Sequence, residues 1–315
     1  MYRLPHPPEP WAPGTFWIPA GSSSVASVQA LAQEFGLPFT AAATAPTGRL
    51  STLRPLRVGL YHRYFGGNPD EGWTRFIFDK WEFPYTRVEA DEIRKGGLHE
   101  RYDVIMFPDD ELRFIMGSEA REASLFPSGG NYPPEYRKGI GAEGVQALRE
   151  FVRGGGSLVL IDGATALATE AFGIPVRDAL KGLSAKEFFA PGSTLRIKLD
   201  PTQPLAYGMP RDALVLFFDS VAFNVGNSLS NGNIAVVGQY GDRDLLRGGW
   251  LDGEKHLAQK AALLDVGYGQ GRIALIGFRA QLRAQTHGTY KVLFNALYQG
   301  GAKDVAGTDR SAAQP

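Results

Sequence analysis

The sequence predicts an α/β protein with a doubly wound parallel sheet and an additional β-rich second half. Three observations predict it. Short apolar runs alternate with helix-period segments between residues 56 and 161, the spacing of strand–helix–strand units. After residue 190 the strand-like runs continue with few helices between them. Finally, 39 glycines and 21 prolines punctuate the 315 residues with turns.

Residues 1–55 read as an N-terminal strand–helix segment and linker. A short strand is expected at 14–19. Residues 24–35 carry Val25, Val28, Leu31, Ala32 and Phe35 at helical spacing and are closed by Gly36. Residues 37–55 are rich in Thr, Ala and Pro and read as a connection.

Residues 56–300 read as one α/β domain. Strands are expected at 57–61, 86–88, 103–107 and 157–161. A helix over 73–81 presents Trp73, Phe76 and Ile77, and Asp91 is placed to cap a short helix through Ile93 and Arg94. A helix over 142–152 ends in Gly154-Gly155-Gly156. That triplet precedes a strand, so it is a helix stop and not a phosphate loop. Further strands are expected at 194–199, 215–218, 234–237, 262–266 and 272–277, with a hairpin turn over 267–271. A last helix covers 286–298, and the small, polar residues 301–315 read as a disordered tail.

Composition excludes several functions. The 33 Lys+Arg balance 33 Asp+Glu, so the electrostatic footprint of a nucleic-acid binder is missing. The chain has no cysteine, which excludes disulfides, Cys-ligated zinc, iron–sulfur clusters and a thiolate nucleophile. No apolar run approaches the ~20 residues of a membrane span.

In a doubly wound sheet, ligands bind beyond the carboxyl ends of the strands. His62 and Arg63, the acidic run Asp109-Asp110-Glu111, and Asp162 stand there, and the four acids are ligand-binding candidates. The long stretch from Asp110 to Gly139 could close over the sheet end as a lid. The strand-to-helix turn 160–166 is where such folds place a nucleophile, and Thr165 is the residue there with a hydroxyl. It needs a base, for which His287 and His62 are the candidates. Arg279, Arg283 and His287 fall within nine positions and suggest an anion or carboxylate site. His6 and Glu9 match the bare His-x-x-Glu zinc spacing, but two prolines lie between them and no metal is assigned.

Several distinctive phrases stand in order along the chain. They are Asp70-Glu71-Gly72-Trp73-Thr74-Arg75, Trp81-Glu82-Phe83-Pro84-Tyr85 and Arg101-Tyr102-Asp103-Val104-Ile105, then Gly139-Ile140-Gly141-Ala142-Glu143-Gly144 and Leu205-Ala206-Tyr207-Gly208-Met209-Pro210. Arg279-Ala280-Gln281, Thr286-His287-Gly288-Thr289 and Leu293-Phe294-Asn295-Ala296-Leu297 complete them. Together they resemble the C-terminal region of large bacterial zinc carboxypeptidases of the carboxypeptidase A type. The resemblance implies a glutamine-amidotransferase-like domain of flavodoxin-like topology. It also implies a zinc peptidase domain in cis or as a partner chain, and an exported, periplasmic or extracellular, bacterial protein.

No segment here looks like the zinc domain, so zinc is expected only outside this chain and no cofactor within it. Amidotransferases proper place a cysteine at the turn after a strand, where this chain has residues 162–166 and no cysteine. The expectation is therefore a non-catalytic binding or structural module, with a peptide or carbohydrate as a possible ligand. The alternative is a stand-alone hydrolase using Thr165, His287 or His62, and an acid from Asp109 to Glu111.

Overall fold

The computed structural model describes residues 1–64, 67–117, 138–226 and 233–306. Two compact units emerge, residues 1–55 with 301–315 and residues 56–300.

In the first unit, β1 (Tyr2–Leu4) lies between β2 (Thr15–Trp17) and β3 (Arg49–Thr52), all antiparallel. Helix α1 (Ser22–Phe35) ends at Gly36 in the left-handed region, φ 63°, which glycine enters without steric cost. Two expectations are corrected here. Arg49–Thr52, read as part of a linker, is a strand. Lys303–Ala306, read as disordered tail, pairs antiparallel with it, Lys303 opposite Thr52. Both segments are short and polar, so neither carries an apolar alternation. They are held by backbone pairing, by the Arg49–Asp304 ion pair and by the Ser51 hydroxyl donating to Asp304 at 2.8 Å. The rest of the tail, 307–315, lies outside the described residues.

The second unit begins with β4 (Val58–Tyr61), α2 (Pro69–Lys80), β5 (Thr86–Val88), α3 (Ala90–Arg94), α4 (Leu98–Arg101) and β6 (Val104–Phe107). It continues through α5 (Leu112–Met116), α6 (Gly141–Arg153) and β7 (Ser157–Ile161). Next come β8 (Arg177–Asp178), β9 (Ser193–Leu199), β10 (Asp212–Phe217), β11 (Phe223–Asn224), β12 (Ile234–Tyr240) and β13 (Leu246–Gly248). The hairpin β14 (Ala261–Tyr268) and β15 (Gly271–Ile276) precedes the closing helix α7 (Tyr290–Gly301).

The sheet runs β5-β4-β6-β7-β15 in parallel, then β14-β12-β9-β10 antiparallel. Numbered along the chain, the five parallel strands stand in the order 2-1-3-4-5, which is the flavodoxin-like doubly wound order. The β-rich second half is inserted between the fourth and fifth of them.

Helices cover both faces of the parallel part. Val104 and Met106, Val159 and Ile161, and Ala274 and Ile276 pack with Phe78 of α2 and Leu293 of α7. Their neighbours Ile105, Phe107, Leu158, Leu160 and Leu275 pack with Ile93, Leu148 and Phe151 of α3 and α6. That two-sided burial explains why these strands read as continuous apolar runs.

Three helix starts differ from expectation. α2 begins at Pro69, before its apolar residues, because Asn68 accepts hydrogen bonds from the backbone N–H groups of Asp70 and Glu71. Asp91 lies in the first turn of α3, whose cap position is Glu89. Residues 287–289 form a separate short turn ahead of α7.

Gly271 opens β15 beneath the carbonyl oxygens of Gly156 and Val152, with no room for a Cβ. Gly271→Ala should cost about 1–3 kcal/mol through overpacking, measured by urea unfolding. An unchanged midpoint would show that the α6–β7 connection yields freely.

Candidate functional site

The carboxyl ends of β6, β7 and β15 and the first turn of α2 meet around one guanidinium group. Arg279, three residues beyond β15, has a side chain only 12% exposed. Its Nη1 lies 2.8 Å from Asp70 Oδ2 and 2.7 Å from Asp109 Oδ2, and its Nε lies 2.8 Å from Asp162 Oδ2. Its backbone N–H donates to Leu216 of the antiparallel half, and its guanidinium stands 5.9 Å from the Phe218 ring centre. The site therefore joins the parallel sheet to the inserted strands.

Two of the acids are fixed by a second partner. Asp162 follows β7 directly, is fully buried and has φ +53°. Its Oδ2 accepts a hydrogen bond from the Ser220 hydroxyl at 2.5 Å, and Ser220 Oγ accepts one from the Phe218 backbone. Asp109 Oδ1 accepts from the Gly163 N–H at 2.8 Å, and the Asn68 side chain donates to the Asp109 carbonyl at 2.9 Å. Asn68 thus caps α2 and ties it to the end of β6. Asp70 keeps Oδ1 buried without a hydrogen bond among the described residues. The Tyr240 hydroxyl, also buried and close enough to sense Asp162, likewise has none.

Burial pushes the pKa of Asp162 well up, with Arg279 and Ser220 opposing it and Asp109 and Asp70 adding to it. Asp70 and Asp109 are raised for the same reason, burial, and each is opposed first by Arg279. Burial also acts against the charge of Arg279, but the three carboxylates outweigh it and raise its pKa. One cation thus serves three carboxylates, and the surplus negative charge favours proton uptake there.

The sequence candidates divide accordingly. Asp109, Asp162 and Arg279 come together, while the expected acidic run splits. Asp110 turns away to pair with Arg63 at 2.7 Å, and burial raises its pKa against that pairing. Glu111 is exposed and pairs with Arg113 at 2.8 Å. The anion cluster of Arg279, Arg283 and His287 is not formed. Arg279 is committed to carboxylates, Arg283 is exposed on a turn at φ +53°, and His287 is exposed with its ring against Tyr290.

Thr165 uses its hydroxyl within its own turn. It ends the short turn Asp162–Thr165, is 2% exposed, and donates its hydroxyl to the Asp162 carbonyl at 2.6 Å. The sharp-turn position belongs to Asp162, not Thr165. Asp70 was missed as a site residue. The signal available was the Asn-Pro-Asp-Glu run 68–71, a capped helix start carrying two acids beside a strand end. Of the expected lid, residues 118–137 lie outside the described residues.

A second group surrounds the next residue of α2. Glu71, 3% exposed, has Oε1 at 3.1 Å from Arg75 Nε, 3.4 Å from His62 Nδ1 and 3.8 Å from Arg87 Nε. Burial lowers the His62 pKa, with Glu71 as the leading opposing influence. His62 therefore lies beside Glu71. Among the described residues no group of three or more His, Asp or Glu is placed to hold a metal ion, and no helix is long and apolar enough to cross a membrane.

No family profile and no curated protein matches the chain. Among solved structures, it is similar to a ThuA-like protein from Bacteroides uniformis at 9% identity and TM-score 0.46, covering 83% of this chain and 94% of that one. A cytoplasmic protein from Salmonella typhimurium is similar at 15% identity and TM-score 0.45, with 79% and 100% covered. A glutamine amidotransferase from Thermotoga maritima is similar at 12% identity and TM-score 0.42, with 77% and 82% covered. Likeness at this level carries no argument about activity. The fold rests on the strand order itself.

Proposed function

We propose that this chain is a non-catalytic, amidotransferase-like module that packs on, or presents substrate to, a zinc-carboxypeptidase-type peptidase domain. The single observation that carries the reading is the occupied sharp turn. Where an amidotransferase needs a free thiolate, this chain has the Asp162 carboxylate, held by Arg279 and the Ser220 hydroxyl. A carboxylate so bound is a weak nucleophile, and the neighbouring hydroxyl of Thr165 is buried and already donating. The ordered phrases shared with the carboxypeptidase C-terminal region supply the partner in this proposal. Zinc belongs to that partner, and export to the whole protein it serves.

The purified chain should hydrolyse none of a peptide, amide and ester panel, and chelators should leave its melting temperature unchanged. A chelator-sensitive activity in pure protein would overturn the reading. Thr165→Ala separates the hydrolase alternative. Loss of a triad nucleophile costs about 10⁴ or more in rate, whereas a structural Thr165 gives the same background as the parent. In source cells, an antibody to this chain should detect a polypeptide, or a co-purifying partner, that carries the peptidase. Detection of the 34.2 kDa chain alone, with no peptidase attached, counts against it.

A further inference from the structure

We propose that Arg75, Arg87 and His62, anchored by the buried Glu71, form a binding site for an oxyanion at the carboxyl ends of β4 and β5. This inference rests on no part of the preceding reading.

Glu71 is buried, and a buried carboxylate is ordinarily hydrogen-bonded. Here Glu71 Oε1, His62 Nδ1 and Arg75 Nε are all buried without a hydrogen bond among the described residues. The three basic side chains stand around one oxygen and do not saturate it.

Both arginines approach Glu71 through Nε, the inner edge of the guanidinium. Their Nε atoms therefore stand no more than about 7 Å apart. The two side chains remain 40% and 44% exposed. Two forked donors are thus held side by side at the surface by a shared internal counter-ion, an arrangement suited to bidentate recognition of a phosphate or carboxylate. Without a ligand, the two like charges repel each other, and a bridging anion relieves that repulsion.

The position fits the fold. His62 follows β4 and Arg87 belongs to β5, and doubly wound sheets bind ligands outside the carboxyl ends of their strands. The neighbouring Arg279 cannot serve this purpose, being enclosed by three carboxylates. Burial keeps His62 largely neutral, so it contributes a polar edge while the arginines carry the charge. The exposed Glu89 also acts on His62, and Asp79 is occupied by the Tyr85 hydroxyl at 3.0 Å. Glu71, Asp79 and Glu89 are thus the acids that oppose an incoming anion.

The test uses the full chain, titrated at constant ionic strength against chloride and followed by calorimetry and melting temperature. The probes are inorganic phosphate, acetate, and an N-acetylated tripeptide with a free or an amidated C-terminus. Saturable binding is expected, weakened at least tenfold in Arg75→Gln and in Arg87→Gln with the fold intact. Arg87→Lys, which keeps the charge but not the fork, should also weaken it and covers the case in which Arg87→Gln fails to fold. Phosphate saturation alone assigns a phosphate ligand. Binding of the free-acid peptide but not its amide assigns a peptide carboxylate. No saturable binding of any probe, or equal binding by the Arg75→Gln/Arg87→Gln double variant, overturns the proposal. Hydrolysis panels read a different outcome, so the two readings fail separately.

Discussion

Arg279→Met should destabilise the α/β unit by about 3–5 kcal/mol, the cost of leaving a buried ion group without its partner. At roughly 2–4 °C per kcal/mol for a unit of this size, the melting temperature falls by ~6–20 °C. The reason is the count of charges. Asp70, Asp109 and Asp162 each lose their 2.7–2.8 Å contact with the cation they share. Arg279 also spans β6, β7, α2 and the inserted strands, so its loss loosens their joint and not a single contact. Arg279→Lys should fall between, because one ammonium cannot address three carboxylates from two edges of a plane. Combining Arg279→Met with Asp162→Asn and Asp109→Asn should recover part of the loss, which a mutant cycle would read directly. An Arg279→Met protein that melts like the parent would remove this ion group from the account of stability.

Asp162→Asn should act in the opposite direction. The pKa values of Asp162, Asp109, Asp70 and Asp110 are all raised in the folded state, chiefly by burial. A carboxyl that holds its proton more tightly when folded contributes stability that is full below its unfolded value, about 3.9. That contribution is lost as pH rises through the raised folded value. At neutral pH these buried carboxyls therefore weaken the fold relative to acid.

Asparagine fits the same place. It tolerates φ near +53°, and its amide oxygen can accept from Ser220, as Asp162 Oδ2 now does, while staying beside Arg279. The variant should be more stable than the parent at pH 7–8, by about 1 kcal/mol or more. The difference should close as the pH falls toward 4. Melting curves across that range check the sign. A gap that widens in acid would mean Asp162 is charged and stabilising.

How much of this was legible beforehand follows from how each signal is encoded. The parallel core was readable because its strands are buried on both faces and written as unbroken apolar runs, as in Val104–Phe107 and Ser157–Ile161. Arg49–Thr52 and Lys303–Ala306 were not, because backbone pairing between polar segments 250 residues apart leaves no local pattern. Of the candidate site, Asp109, Asp162 and Arg279 could be placed at strand ends. Their convergence on one guanidinium could not, and neither could the separation of Asp110 and Glu111 from Asp109.

The sequence by itself determined the apolar strands of the parallel core, the doubly wound class and the absence of a thiolate, since these depend on composition and on periods within a few residues. The tertiary structure alone decided that Thr165 is buried, that Asp162 holds the sharp turn, and that the adjacent Asp70 and Glu71 serve two different groups. Those outcomes depend on which side chains four separate segments bring within 3–4 Å of one another. At that range, desolvation and Coulomb energy exceed any local preference the chain could express.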